Sequence, residues 1–184
     1  MHTLGSVDLT QIDSDGESPE KVGRACKNWK KIDTVQLKEL HKGIIKSGAW
    51  LDDMIICAAQ CLLKIQHPHT GGFQSTLCAE NLSMEPQASE FVQVLIVNNS
   101  HWLTVSNIGC TSSSIKVYDS LGGRLPCTTK KVIADILQCQ KRSITIIYED
   151  VQQQAGSNDC GCYAIAYATT LSHGEDPAKT DNKL

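Results

Sequence analysis

Apolar and polar positions divide the chain into a polar head, a helical front, a strand-rich middle and a closing helix–strand–helix. Residues 1–28 are mostly polar, with Asp13-Ser14-Asp15-Gly16-Glu17-Ser18-Pro19-Glu20 at their centre. Such a stretch buries too little apolar surface to offset the entropy lost on ordering, so a disordered tail is predicted there. From Thr34 the spacing of Val35, Leu37, Leu40, Ile44 and Ile45 predicts a short helix ending near Gly48. A second helix is predicted over residues 50–65, opening on Trp50-Leu51-Asp52-Asp53, whose acids suit the positive end of the helix dipole. Its apolar residues run nearly all round, which predicts burial on every side. His67-Pro68-His69-Thr70-Gly71-Gly72 then reads as a loop.

Residues 91–97 form a nearly continuous apolar run followed by the turn residues Asn98-Asn99-Ser100, a strand-and-turn signature. Further strands are predicted over 102–108 and 114–118, separated by the loop Gly109-Cys110-Thr111. Val132, Ile133, Ile136 and Leu137 give helical spacing within 128–140, and 144–148 returns to strand. A polar loop over 152–159 leads to an apolar helix headed by Cys160 and running to Leu171. There is no internal repeat. The order predicts an α+β fold. A chain of 184 residues suffices for one real core, so a single domain is expected over 29–184.

Composition narrows the class. Seventeen basic against twenty acidic residues give −3, which does not resemble a nucleic-acid footprint. No stretch approaches the roughly 20 apolar residues of a membrane span. The first ten residues lack the basic start and apolar run of a signal peptide, so a reducing, intracellular setting is expected for the nine cysteines. Cys57, Cys61 and Cys139 sit in apolar settings and read as small core residues. Cys57 and Cys61, Cys160 and Cys162, His67 and His69 are residue types that bind metals, but no second close pair completes a zinc pattern. Neither a metal nor a cofactor is expected.

The chemistry concentrates in Gln154-Ala155-Gly156-Ser157-Asn158-Asp159-Cys160-Gly161. A thiol at a helix N-terminus feels the positive end of the dipole, which favours its thiolate. His101, before Trp102, offers a base; Asp119, after Tyr118, a carboxylate; and Gln154 an amide donor. Thiol, imidazole, carboxylate and amide donor are the components of a cysteine hydrolase. Each has a plainer reading taken alone: a structural cysteine, a satisfied core histidine, a turn aspartate, a loop glutamine. Their conjunction in one chain favours the chemistry.

These segments, His101-Trp102, Tyr118-Asp119-Ser120 and Gln154 through Asp159-Cys160-Gly161, resemble the ubiquitin-like-protein-specific cysteine proteases. That is the Ulp and sentrin-protease class, related in fold to the adenovirus protease. Trp50-Leu51-Asp52-Asp53 is similar to the Trp-Leu-Asn-Asp segment of that family, with Asp52 in place of the asparagine. The resemblance spans about residues 45–173. It implies a central mixed sheet packed between helices, with the nucleophile at the N-terminus of a buried helix. It also implies roles: Cys160 as nucleophile, His101 as its ion-pair partner and proton donor, Asp119 orienting the imidazole, and Gln154 with the Cys160 N–H as oxyanion donors. Trp50 and Trp102 would wall a narrow tunnel admitting a diglycine tail, and Asp53 would contact a basic residue of the bound modifier.

The implied activity is cleavage after the C-terminal diglycine of a ubiquitin-like modifier, with SUMO favoured and NEDD8 or ubiquitin as alternatives. The partners implied are that modifier and its conjugates, acted on by a monomer in the nucleus or cytoplasm, without nucleic acid or membrane. Two other readings stand beside it. One is an acyltransferase of the same clan, against which stands the lack of a basic cluster for the phosphates of coenzyme A. The other is a catalytically idle ubiquitin-like-binding module. After His173-Gly174-Glu175-Asp176-Pro177 the chain turns polar where the resembling domains continue into a further helix, so the domain is expected to be short at that end.

Overall fold

The computed structural model describes residues 26–80, 83–111, 113–137 and 143–179. Most of the predicted disordered tail lies outside these residues. Its last residue, Asn28, opens strand β1 (Asn28–Ile32), which pairs antiparallel with β2 (Val35–Lys38). The helix expected from Thr34 therefore starts later, as α1 (Glu39–Ser47). The reason is periodicity: Val35 and Leu37 alternate with Gln36 and Lys38, and Leu37 is the buried member. Asp33 takes the left-handed conformation (φ 51°) that lets the chain reverse. α1 stops as expected at Gly48, whose φ of 65° costs glycine little.

Helix α2 (Asp53–Gln66) begins three residues beyond the expected start, because Asp52 is its N-cap and accepts from the Ile55 N–H at 3.0 Å. Trp50 and Leu51 are thereby left in an extended strap ahead of the helix. Burial on all sides does not hold: Ile55, Ile56, Ala58 and Leu63 face inward, while Leu62 and Ile65 are exposed.

A five-stranded mixed sheet forms the centre, in the order β3 (Gly71–Gly72), β4 (Phe91–Val97), β5 (His101–Ser106), β6 (Ser114–Tyr118), β7 (Thr145–Tyr148). The two inner pairings are antiparallel and the two outer ones parallel. The predicted strands hold to within a residue or two. Gly71-Gly72, read as loop, is itself a two-residue strand, and Gly72 lies so close to β4 that a Cβ would collide with the Val92 carbonyl. A short helix α3 (Thr76–Glu80) was not expected from the sequence. α4 (Cys127–Ile136) covers the first part of the helix predicted over 128–140, of which 138–140 lie outside the described residues, and α5 (Cys160–Ser172) matches the predicted closing helix.

The sheet has a core on each face. Val92, Val94 and Trp102 pack with Ile55 and Ile56 of α2 and with Ala164 and Ala168 of α5. Phe91, Leu95, Leu103, Val105, Ile115 and Val117 pack with Val132, Ile133 and Ile136 of α4. This double coverage explains why β4 reads as a nearly continuous apolar run. Past the short β3, the Val94 N–H is satisfied by Gln60 Oε1 of α2 at 3.0 Å, an acceptor shared with Gln93 Nε2 at 2.9 Å. A buried strand amide thus finds its partner in a helix side chain.

Candidate active site

The tight turn at Asn98 and Asn99, both with positive φ, returns the chain into β5 so that His101 is its first residue. β5 runs antiparallel to β6, which brings the start of β5 beside the residue that follows the end of β6, Asp119. The result is a 2.6 Å contact between His101 Nε2 and Asp119 Oδ1, both side chains largely buried. An ionised carboxylate only accepts, so Nε2 carries the proton and donates. Asp119 is itself fixed, since Oδ1 also accepts from the Leu121 N–H at 2.9 Å.

Helix α5 lies across β5, tied to it by the Thr104 hydroxyl donating to the Ala164 carbonyl at 2.7 Å. Cys160 is the first residue of this helix, 1% exposed, beside His101. Two buried nitrogens, His101 Nδ1 and Trp50 Nε1, have no nitrogen or oxygen hydrogen-bond partner among the described residues, and both side chains act on the Cys160 sulfur. Burial alone pushes the Cys160 thiol up, but His101, the Trp102 backbone N–H and the Trp50 indole outweigh it and hold the thiol below its ordinary value. His101 moves the other way, to about 9, chiefly through its bond to Asp119 and then through Cys160, against the opposing effect of burial. A thiol shifted down beside an imidazole shifted up favours the thiolate–imidazolium pair near neutral pH.

Gln154 stands on the loop before α5 and is anchored to the turn that carries Asp119. Its backbone N–H donates to the Ser120 carbonyl at 2.9 Å, and its Oε1 accepts from the Ser120 hydroxyl at 2.7 Å. Its Nε2 donates to the Gly156 carbonyl at 2.6 Å. The two neighbouring glutamines are structural as well: Gln153 Nε2 donates to the Asp119 carbonyl at 3.1 Å, and the Gln152 carbonyl accepts from Tyr167. Sequence reasoning had no signal for the parts played by Ser120 and Gln153, beyond their adjacency to Asp119 and Gln154.

Trp50 and Trp102 stack on each other, with ring centroids 5.6 Å apart and planes 23° from parallel. Rings in such contact leave no room for a peptide between them, so in this structure the expected walls touch. They are held unequally. Trp102 is fully buried, with Nε1 donating to the Leu51 carbonyl at 2.8 Å, whereas Trp50 is partly exposed on the strap. The strap lies against α5 so closely that a Cβ on Gly161 would sit 3.0 Å from Leu51 Cβ, which explains a glycine after Cys160. Asp53 is half-buried in the first turn of α2, three residues beyond Trp50, and makes none of the contacts described above. No group of three or more potential metal-binding side chains occurs among the described residues.

A thiol, imidazole, carboxylate and amide gathered at the head of a helix laid across a mixed sheet make the arrangement of a cysteine peptidase. The family model of the Ulp1 protease family, C-terminal catalytic domain, matches residues 88–183, and the chain belongs to that family of cysteine peptidases. The matched segment holds His101, Asp119, Gln154 and Cys160, whereas Trp50 and Asp53 precede it. Among solved structures, the chain is similar to the SUMO protease Ulp1 with its catalytic cysteine oxidised to a sulfenic acid. That match has 18% identity and a TM-score of 0.67, over 88% of this chain and 83% of that one. It is also similar to the C-terminal Ulp1 protease domain in complex with Smt3, the yeast ortholog of SUMO. There the identity is 15% and the TM-score 0.61, over 82% and 77% of the two chains. A third similar structure is the Xanthomonas campestris effector XopD bound to ubiquitin, at 14% identity and TM-score 0.50, over 68% and 75%. At these identities the likeness is one of fold. No curated protein sequence matches the chain.

Proposed function

We propose that this cysteine peptidase cleaves after the C-terminal diglycine of a ubiquitin-like modifier, releasing it from a precursor or from a conjugated amine. The observation that carries the reading is the Asp119–His101 contact at 2.6 Å beside a Cys160 thiol held below its ordinary pKa at the head of α5. In the reading, the Cys160 thiolate attacks the carbonyl carbon of the terminal glycine. The oxyanion takes hydrogen bonds from the Cys160 N–H and the Gln154 amide. Collapse expels the amine, which takes the imidazolium proton of His101, and leaves a thioester on Cys160. His101, now neutral, accepts a proton from water as that water attacks the thioester, and the thiolate returns. Asp119 holds the ring with Nε2 protonated and stabilises its cationic form.

Trp50 and Trp102 give the site its selectivity for glycine, since flat aromatic walls admit an extended tail only where no Cβ projects. The partly exposed Trp50 is the wall that shifts to seat the tail, while Trp102 stays fixed by the Leu51 carbonyl. Asp53, three residues from Trp50, meets a basic residue on the body of the modifier. SUMO is the first modifier to test, because the similar yeast protease domain is seen with its SUMO ortholog. Ubiquitin follows, because XopD is seen bound to it. Replacing Cys160 with Ala is expected to abolish turnover of a diglycine-linked substrate while leaving modifier binding measurable by titration. Turnover surviving in that variant contradicts the proposal.

A further inference from the structure

We propose that Ser120 is a positioning residue that aims the Gln154 amide, so that one turn, Asp119-Ser120, sets both the histidine and the oxyanion donor. The inference rests on the preceding reading of Gln154 as an oxyanion donor and names what holds it there.

Ser120 is 1% exposed and has no route to substrate of its own. It contacts Gln154 twice: its carbonyl accepts the Gln154 backbone N–H at 2.9 Å, and its hydroxyl donates to Gln154 Oε1 at 2.7 Å. The orientation of the amide follows from its neighbours. The Gly156 carbonyl can only accept, so the nitrogen must be the atom facing it at 2.6 Å, and Oε1 must be the atom facing Ser120. With Oε1 and one Nε2 proton so engaged, the second Nε2 proton is the one available to a developing oxyanion.

Without the hydroxyl, Oε1 is a buried acceptor lacking its donor, and the amide, left with the Gly156 carbonyl as its one side-chain anchor, is free to tilt about its last torsion. The backbone bond from Gln154 to Ser120 survives that change, so the loop stays in place while the donor loses its aim. Asp119 next door is tied independently, its carboxylate to Leu121 and its carbonyl to Gln153. A change in the Ser120 side chain should therefore leave the His101–Cys160 pair undisturbed.

The test uses Ser120→Ala, Gln154→Ala and the double variant, with coumarin-amide substrates of SUMO, NEDD8 and ubiquitin. On the substrate the parent protein turns over, Ser120→Ala is expected to lower kcat by about 10–100-fold with little change in KM, as for a misplaced catalytic group. The double variant should be no slower than Gln154→Ala within about twofold, because both changes remove the same donor. The pH profile of Cys160 alkylation by iodoacetamide should be the same in all four proteins. Three results overturn the proposal: parent-like kcat in Ser120→Ala, a double variant slowed by the product of the two single effects, or a shifted alkylation profile in Ser120→Ala. If the parent turns over none of the three substrates, the diglycine reading fails by itself. The side-chain amide resonances of Gln154, assigned by their loss in Gln154→Ala, then test the anchor alone. Displacement of those resonances in Ser120→Ala supports it, and unmoved resonances overturn it.

Discussion

At the residue scale, the proposed mechanism rests on opposing shifts on two neighbouring groups. The reactive pair needs Cys160 without its proton and His101 with its own. The thiol ionises below its ordinary value, while the ring keeps its proton until about pH 9. On the proposed mechanism, kcat/KM therefore rises with pH as Cys160 ionises and falls as pH passes about 9 and the imidazolium is lost. Asp119→Asn removes the largest contribution to the raised His101 value. The alkaline limb should then move toward lower pH, and the rate at its maximum should fall by about 10²-fold or more. A kcat/KM profile of both proteins across the pH range checks this; an unmoved alkaline limb would assign that limb to another group.

Much of this was legible in the residues. Cys160, His101, Asp119 and Gln154 are marked by chemical type and by the order of the segments that resemble the family; the structure joins His101 to Asp119 and anchors Gln154 to the neighbouring Ser120. What the residues do not announce is how each is held. Nothing in the string Asp119-Ser120 says that the serine side chain will meet a glutamine 34 positions later, because that contact is made by two loops arriving from different strands and helices.

At the element scale, the contrast between readable and unreadable parts has a physical cause. β4 and β6 are legible to the residue because both faces are covered, so most of their positions are apolar and the ends fall at turns. The β1–β2 hairpin is not legible in the sequence because Val35 and Leu37 fit the start of a helical stripe as well as a strand, and only pairing with β1 decides between them. α2 was extended too far because Trp50 and Leu51 continue its apolar pattern, while Asp52 caps the helix and leaves them as a strap over α5. β3 shows the same limit: two glycines have no pattern, and the strand exists because Gly72 can approach Val92 where a side chain cannot.

Gln60 gives the element scale its own test. Its Oε1 is the acceptor for the Val94 amide, which β3 is too short to reach. Gln60→Leu keeps the volume but leaves a buried N–H unsatisfied, and should cost about 1–3 kcal/mol. Urea unfolding should show a lower midpoint with an unchanged slope. A midpoint equal to that of the parent would mean that β4 draws its stability at this point from elsewhere.

At the scale of the whole molecule, the two cores have different work. The face with α4 holds the sheet together on the side away from Cys160, through Ile133 and Ile136 on Phe91 and Leu95. The other face carries α2, α5 and the strap, and every part of the candidate site hangs from it or from the loops at its rim. The segment after α5 is tied back to the sheet, with Asp176 meeting Lys116 of β6 at 2.9 Å and Lys116 meeting Glu149 at 3.1 Å. On the proposed function, the consequence is a fixed thiol beneath the Trp50 strap. Cys160 and Trp102 are held in α5 and β5, and on the proposed reading access to the thiol runs past Trp50.

Covalent capture by diglycine-ended electrophilic probes of SUMO, NEDD8 and ubiquitin, with Cys160→Ala as control, tests the central claim most directly. The account predicts a mass shift with at least one probe, absent in the control. Folded, reduced protein that reacts with none of the three, or a shift that survives Cys160→Ala, would contradict it.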